Sequence, residues 1–193
     1  MSEFRERVIQ DLIANRVIVN TNHKLDTDTQ VFFYENDFYP LSNFSAFTLQ
    51  WKGHRFDTSE AAYHWEKFDY ATEYHDALAL AAIREGILHA PSAHEAFKFA
   101  EKHRNFIRPE WDIVKVPIMA DILRAKVAQH EYVRRKLLAT GDRELIEDSW
   151  RDSYWGWGED HKGRNWLGKL WMAIRTELRD GTAPEKWESL TLK

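Results

Sequence analysis

DTSEAAYHWEKF, residues 57–68, marks the point where short β-prone runs give way to helical spacing. Asp57 stands three residues before Glu60, the spacing of a capping box, and the helix it opens carries Ala61, Ala62, Trp65 and Phe68. Glu60, His64 and Lys67 form a polar seam on that helix, because seven residues turn it through about 700° and return to the same face. A carboxylate at a helix start with an ammonium two turns on makes an acid/base pair, or a nucleophilic amine, if the seam faces a pocket. The competing reading makes Glu60 a helix cap and Lys67 a solvated side chain.

Before this segment the pattern is sheet-like. Val31 to Tyr34 is β-prone, and Phe47, Leu49 and Trp51 alternate ahead of Lys52-Gly53-His54, after which Arg55 and Phe56 resume, as in a small hairpin. The sheet portion is expected to stay within this first third. Phe4, Val8, Ile9, Leu12, Ile13 and Val17 space out an amphipathic helix over residues 4–17, joined to the body by a polar stretch. After the segment, residues 72–85, 93–105, 112–130 and 131–139 read as helices. Pro91 separates the first two, Pro117 falls near the first turn of the third, and Thr140-Gly141-Asp142 stops the fourth. Leu145-Ile146-Glu147 reads as an isolated strand. Leu167, Leu170, Trp171, Ile174 and Leu178 mark a last helix. The expected fold is one mostly helical α+β domain over residues 31–180, with a helix and connection over 1–30 and a tail over 181–193.

The chain has 193 residues, enough for one self-sufficient core. Lys and Arg number 27 against 31 Asp and Glu, a net charge of −4, so a polyanion has to be gripped by a local patch rather than a global field. The absence of cysteine removes disulfides, thiol catalysis and thiolate zinc sites. No window approaches the roughly 20 apolar residues of a membrane span, and no secretory leader is evident, so the expected compartment is the cytoplasm. HExxH, GxGxxG, Walker and GxSxG patterns are missing, and the nine histidines are scattered, so neither a metal nor a cofactor is expected.

Six of the nine tryptophans fall at or after Trp150. Between Asp152 and Gly168, Tyr154, Trp155, Trp157 and Trp166 offer flat faces to a base or sugar, and Gly156, Gly158 and Gly163 let backbone amides approach a ligand. Asn165 precedes the last helix as a cap, and the helix N-terminus beyond it is a candidate phosphate site. The alternative is a small aromatic core closed by glycine turns. Leu41-Ser42-Asn43-Phe44, after Pro40, reads as an Asx or Ser turn.

Taken in order, Pro40-Leu41-Ser42-Asn43-Phe44, Gly53, Arg55, Thr58-Ser59-Glu60, Lys67-Phe68, Thr140-Gly141-Asp142, Leu145-Ile146-Glu147, Asp152, Tyr154-Trp155-Gly156, Gly158, Gly163, Asn165 and Leu167-Gly168 resemble the NADAR (NAD- and ADP-ribose-associated, YbiA-like) family. The resemblance runs from Phe32 to about Arg179. It implies a mainly helical domain that hydrolyses N-glycosidic bonds of ribosylated nitrogen compounds, either ADP-ribose on a guanine amino group or ribosylamino-pyrimidine phosphates of riboflavin synthesis. Carried over by position, Glu60, Asp152 and Trp155 match the family's active-site trio and Lys67 its pocket lysine. Asn43, Phe44, Arg55, Tyr154, Gly156, Gly158 and Asn165 would line the ligand site. The sequence departs from the family at Ala61-Ala62, His64, Glu66 and Trp157, so the pocket walls differ and substrate choice is not inherited.

The implied partner is an ADP-ribosyl or phosphoribosyl molecule, free or as an adduct on DNA or RNA. Breaking a ribosyl C–N bond builds positive charge at the anomeric carbon, which a carboxylate such as Glu60 or Asp152 stabilises. Lys67 offers a second route through a Schiff base if its pKa is depressed. The rival readings are a non-catalytic ADP-ribose or NAD reader and a protein-docking domain.

Overall fold

The computed structural model describes residues 26–34, 36–70 and 77–182. The helix expected over 4–17, the start of the one expected over 72–85 and the last residues of the tail lie outside the described residues. Strand β1 (Gln30–Phe32) is followed by a 3-10 turn (Asn36–Leu41), then β2 (Leu49–Trp51) and β3 (His54–Phe56). Helices α1 (Ser59–Glu66), α2 (Ala77–Leu88), α3 (Ala93–Lys102), α4 (Trp111–Gln129) and α5 (Glu131–Ala139) come next. Strand β4 (Glu144–Ile146) and helix α6 (Trp166–Arg179) complete the order. The mostly helical α+β domain expected from the sequence is what the chain forms.

The hairpin forms as its alternation predicts. Leu49 pairs with Phe56 and Trp51 with His54, so the apolar residues share the face turned to the core. Lys52 (φ 46°) and Gly53 (φ 78°) both take the left-handed conformation that two-residue hairpin turns require. Glu66, fully buried near the end of α1, accepts a hydrogen bond from Trp51 Nε1 at 2.5 Å, and Lys52 Nζ lies 2.9 Å from the same carboxylate. One buried anion thus clamps the hairpin to the first helix.

Three expectations need correction. The sheet is not confined to the first third, because β4 pairs in parallel with β1, Val31 opposite Leu145. Three-residue strands 114 positions apart carry no local signal of each other. Second, α1 is capped by Thr58, whose hydroxyl accepts from the Ala61 amide at 3.2 Å, not by Asp57. Glu60 is thereby released from capping. Third, Pro117 lies inside α4, beyond its first turn. Having no N–H, it leaves the carbonyl of Ile113, four residues before, without its usual helical donor.

The core lies where α1 packs against α2, α3 and α4, and continues to α6, which packs on α4 and β4. Trp171 of α6 is fully buried and its indole donates to Leu41 O at 2.7 Å. Burying such a side chain contributes roughly 1.5–3 kcal/mol. The packing holds α1 against the loop between β4 and α6, and that contact makes the site.

Candidate active site

Tyr63, in the middle of α1, is the hub. Trp155 meets its ring edge-on at 5.5 Å between centroids, and Lys67 Nζ lies 5.7 Å from its centre. Burial, then the charge of Glu60 and, more weakly, those of Tyr154 and Asp152, push its phenol above the ordinary range. Two parts of the sequence about 90 residues apart therefore converge on one ring.

Glu60 sits in the first turn of α1 with a side chain only 12% exposed, and its Oε1 lies 2.8 Å from His64 Nε2. Burial holds the His64 pKa below its usual value, aided by the nearby Lys67 ammonium and opposed by Glu60. A neutral imidazole facing an ionised carboxylate donates from Nε2, which leaves Nδ1 bare. Nδ1 is indeed buried with no partner. Lys67 follows the last turn, its Nζ 3.6 Å from Glu101 of α3. Burial lowers its pKa, the carboxylates of Glu101 and Glu60 oppose that, and Lys115 adds to it. The seam read from the helical repeat is real as geometry, although Lys67 pairs with Glu101 across the cluster rather than with Glu60.

Asp152 Oδ1 accepts from the Tyr154 and Trp155 amides, each at 2.8 Å, an Asx turn that fixes both aromatic side chains. Tyr154 and Trp155 meet edge-on at 5.1 Å. Asn43 is buried, its backbone carbonyl receiving the Glu60 amide at 3.1 Å and its Nδ2 donating to Met119 Sδ at 3.3 Å. Its Oδ1 is buried without a partner, as is the Ser59 hydroxyl. Phe44, next along, is 41% exposed.

The structure does not bring every expected residue to the cluster. Arg55 lies on the outward face of the hairpin opposite Gln50, with no hydrogen bond or ion pair among the described residues. Gly156 and Gly158 are buried and serve the loop itself. A Cβ on Gly156 would stand 2.8 Å from Glu147 O, and the Gly158 amide donates to Ser149 O. The Gly158 amide is thus used inside the loop, not turned toward a ligand. Asn165 occupies the cap position of α6 but caps nothing; its Oδ1 accepts from the Glu147 amide at 3.0 Å and its Nδ2 donates to Leu145 O at 2.8 Å. Nor is the N-terminus of α6 open to phosphate, because the Trp166 and Leu167 amides donate to the Tyr154 and Trp155 carbonyls.

A further acid joins the cluster that local spacing does not single out. Glu147, directly after β4, is buried with Oε2 unpartnered, and burial together with the charges of Asp152 and Glu60 raises its pKa well above the usual carboxylate range. In sequence it stands only as the end of the Leu145-Ile146-Glu147 segment of the family resemblance, five residues before Asp152, and no local spacing marks it as an acid of the site. Glu60, Asp152 and Glu147 form a set in which burial favours the protonated form of one while the others face more solvent. Among the described residues, no group of three His, Asp or Glu side chains is arranged to hold a metal ion.

Fold and cluster together define a helical α+β domain with carboxylate, lysine and aromatic groups around one hub, the equipment of a hydrolytic enzyme. The NADAR domain model matches residues 32–179, and the chain belongs to that family. N-glycosidase YbiA of Escherichia coli is 35% identical over 153 residues, 78% of this chain and 89% of that protein. A riboflavin biosynthesis protein of Vibrio vulnificus is 34% identical over 152 residues, 78% of this chain but only 39% of its own length. The NMR structure of E. coli YbiA superposes with a TM-score of 0.69 at 32% identity, covering 84% of this chain and 92% of that one. Among the described residues no helix is long and apolar enough to cross a membrane.

Proposed function

We propose that this N-glycosidase-family enzyme hydrolyses the ribosyl C–N bond of an ADP-ribosylated guanine or of a ribosylamino-pyrimidine phosphate. The observation that supports it most is the convergence of Glu60, Lys67, Asp152 and Trp155 on Tyr63. As the C1–N bond breaks, its electron pair leaves on nitrogen and C1 gains positive charge, which Glu60 and Asp152 stabilise. Water then adds to C1 and passes a proton to a carboxylate. Glu147, favoured in its acid form by burial, is the group suited to return a proton to the leaving nitrogen. Tyr154 and Trp155 supply faces for the base or the ribose.

A second route has its own support. The lowered pKa of Lys67 raises the fraction of free amine, which adds to C1 of the ring-opened sugar and expels the base nitrogen as its protonated amine, leaving a Schiff base that water hydrolyses to free the sugar and the lysine. Between substrates, the names of the relatives favour an N-glycosidic bond in general.

The test incubates the purified chain, with EDTA, separately with a guanine-ADP-ribosylated oligonucleotide and with the ribosylamino-pyrimidine phosphate, and follows release by mass spectrometry. Release from one of them, lost in Glu60→Gln, supports the reading and selects the substrate. Binding of ADP-ribose with no release from either substrate favours the non-catalytic reader.

A further inference from the structure

Beside the Tyr63 cluster, Asp112, Lys115, Ser153, Tyr154 and Arg164 bound a hollow of about 430 Å³, within the range of small-molecule sites. Tyr154 joins the two, because its ring meets Trp155 on one side of the chain while the Lys115 and Arg164 cations lie 4.2 and 5.4 Å from its centre. We infer that this hollow docks a phosphate carried on the sugar of the substrate. The inference rests on the N-glycosidase reading above and names the part of the substrate that reading leaves unplaced.

The charge arrangement carries it. Arg164 is exposed and makes no ion pair among the described residues. Lys115 has one carboxylate partner, Asp112, 2.6 Å away, three residues earlier on α4 and 87% exposed on its side chain. An ion pair with a partner so open to water is worth little, whereas a phosphate offers two cations several charge-assisted hydrogen bonds at once. Ser153 adds a hydroxyl at the hollow's edge. Asp112 is the one group there that opposes an anion, and a bound phosphate competes with it for Lys115. Ser153 and Tyr154 directly follow Asp152, so the same turn that sets the carboxylate and Trp155 also sets the wall of the hollow. The α6 N-terminus does not compete as the phosphate site, since its first amides are spent on the loop.

The phosphate belongs either to a monoester, as on ribose 5-phosphate, or to a diphosphate, as in ADP-ribose. Titration calorimetry of the intact chain with ribose 5-phosphate, with ADP-ribose and with adenosine as an unphosphorylated control separates them. Lys115→Met and Arg164→Met are each expected to weaken a phosphorylated probe about tenfold and to leave adenosine unchanged. Lys115→Arg, which keeps the charge, restores most of the affinity, and Asp112→Asn, which removes the competitor, tightens it several-fold. Loss for both phosphorylated probes assigns a monoester site; loss for ADP-ribose alone assigns a diphosphate site. If the wild-type chain cleaves its substrate while Lys115→Met and Arg164→Met bind the phosphorylated probes as tightly as wild type, the phosphate site is wrong and the glycosidase reading stands. If the wild-type chain neither cleaves nor binds, both fall together.

Discussion

At the scale of single residues, what matters is which groups are free to react and which are spent on structure. Thr58, by taking the cap of α1, leaves Glu60 in the first turn with its carboxylate turned to His64. Glu60→Gln is therefore expected to leave the melting temperature nearly unchanged and to cut turnover by a factor on the order of 10²–10⁴, read by product release in single-time-point mass spectrometry. Thr58→Ala should do the reverse, costing about 1 kcal/mol of stability with the chemistry kept. A second prediction concerns Lys126, fully buried, donating to Ser42 O at 2.9 Å and Ser45 Oγ at 2.7 Å with no carboxylate partner among the described residues. Burial pushes its pKa down to about 7. Above that value the folded chain has released a proton that the unfolded chain keeps until about pH 10.4, so stability contributed by this group rises with pH across the interval. Urea unfolding at intervals between pH 7 and 9.5 should show a positive slope in wild type, at most about 1.4 kcal/mol per pH unit, that flattens in Lys126→Met.

At the scale of elements, the helices were legible because their apolar residues repeat at 3.6. The hairpin was legible because Lys52-Gly53 interrupts an alternation. Neither signal reaches across the chain. The parallel β1–β4 pair depends on partners 114 residues apart, and the Glu66 clamp depends on a carboxylate whose neighbours Trp51 and Lys52 come from another element. In sequence Glu66 reads only as one more charge on a helix. Glu66→Ala leaves the buried Trp51 indole without its acceptor, whereas Lys52, 37% exposed, keeps Asp69 at 2.8 Å, so the loss is about 1–3 kcal/mol, the cost of one buried unpaired donor, which thermal denaturation would register as a fall in midpoint. Glu66→Gln, which still accepts from Trp51, should lose less. Gly168 makes the matching point for α6, since a Cβ there would collide with Leu145 O and the Asn165 amide group. The same Asn165 side chain holds the Glu147 amide. Gly168→Ala is thus expected to lower stability and activity together, with the activity loss persisting well below the melting transition.

Across the whole molecule, the site was half legible for the same physical reason. Glu60, His64 and Lys67 share one helix, and Asp152, Tyr154 and Trp155 one turn, so local spacing groups them. Glu147 and Lys115 enter from a three-residue strand end and a long helix, where only tertiary packing sets one near Asp152 and Glu60 and the other over Tyr154. The net charge of −4 gives the same lesson in electrostatic form. A global field of that sign repels a phosphorylated substrate, and adding salt would then weaken the repulsion and lower KM. A local pair of cations at Tyr154 acts within a Debye length of the ligand, about 10 Å at 0.1 M salt, and screening weakens that attraction instead. The two fields therefore predict opposite signs. If the local pair governs, KM for a phosphorylated substrate rises about threefold between low and roughly 0.5 M salt while kcat holds, and the rise shrinks in Arg164→Met, which keeps only Lys115. A KM that falls with salt in both proteins would place control in the overall charge and leave the Tyr154 hollow without a part in binding.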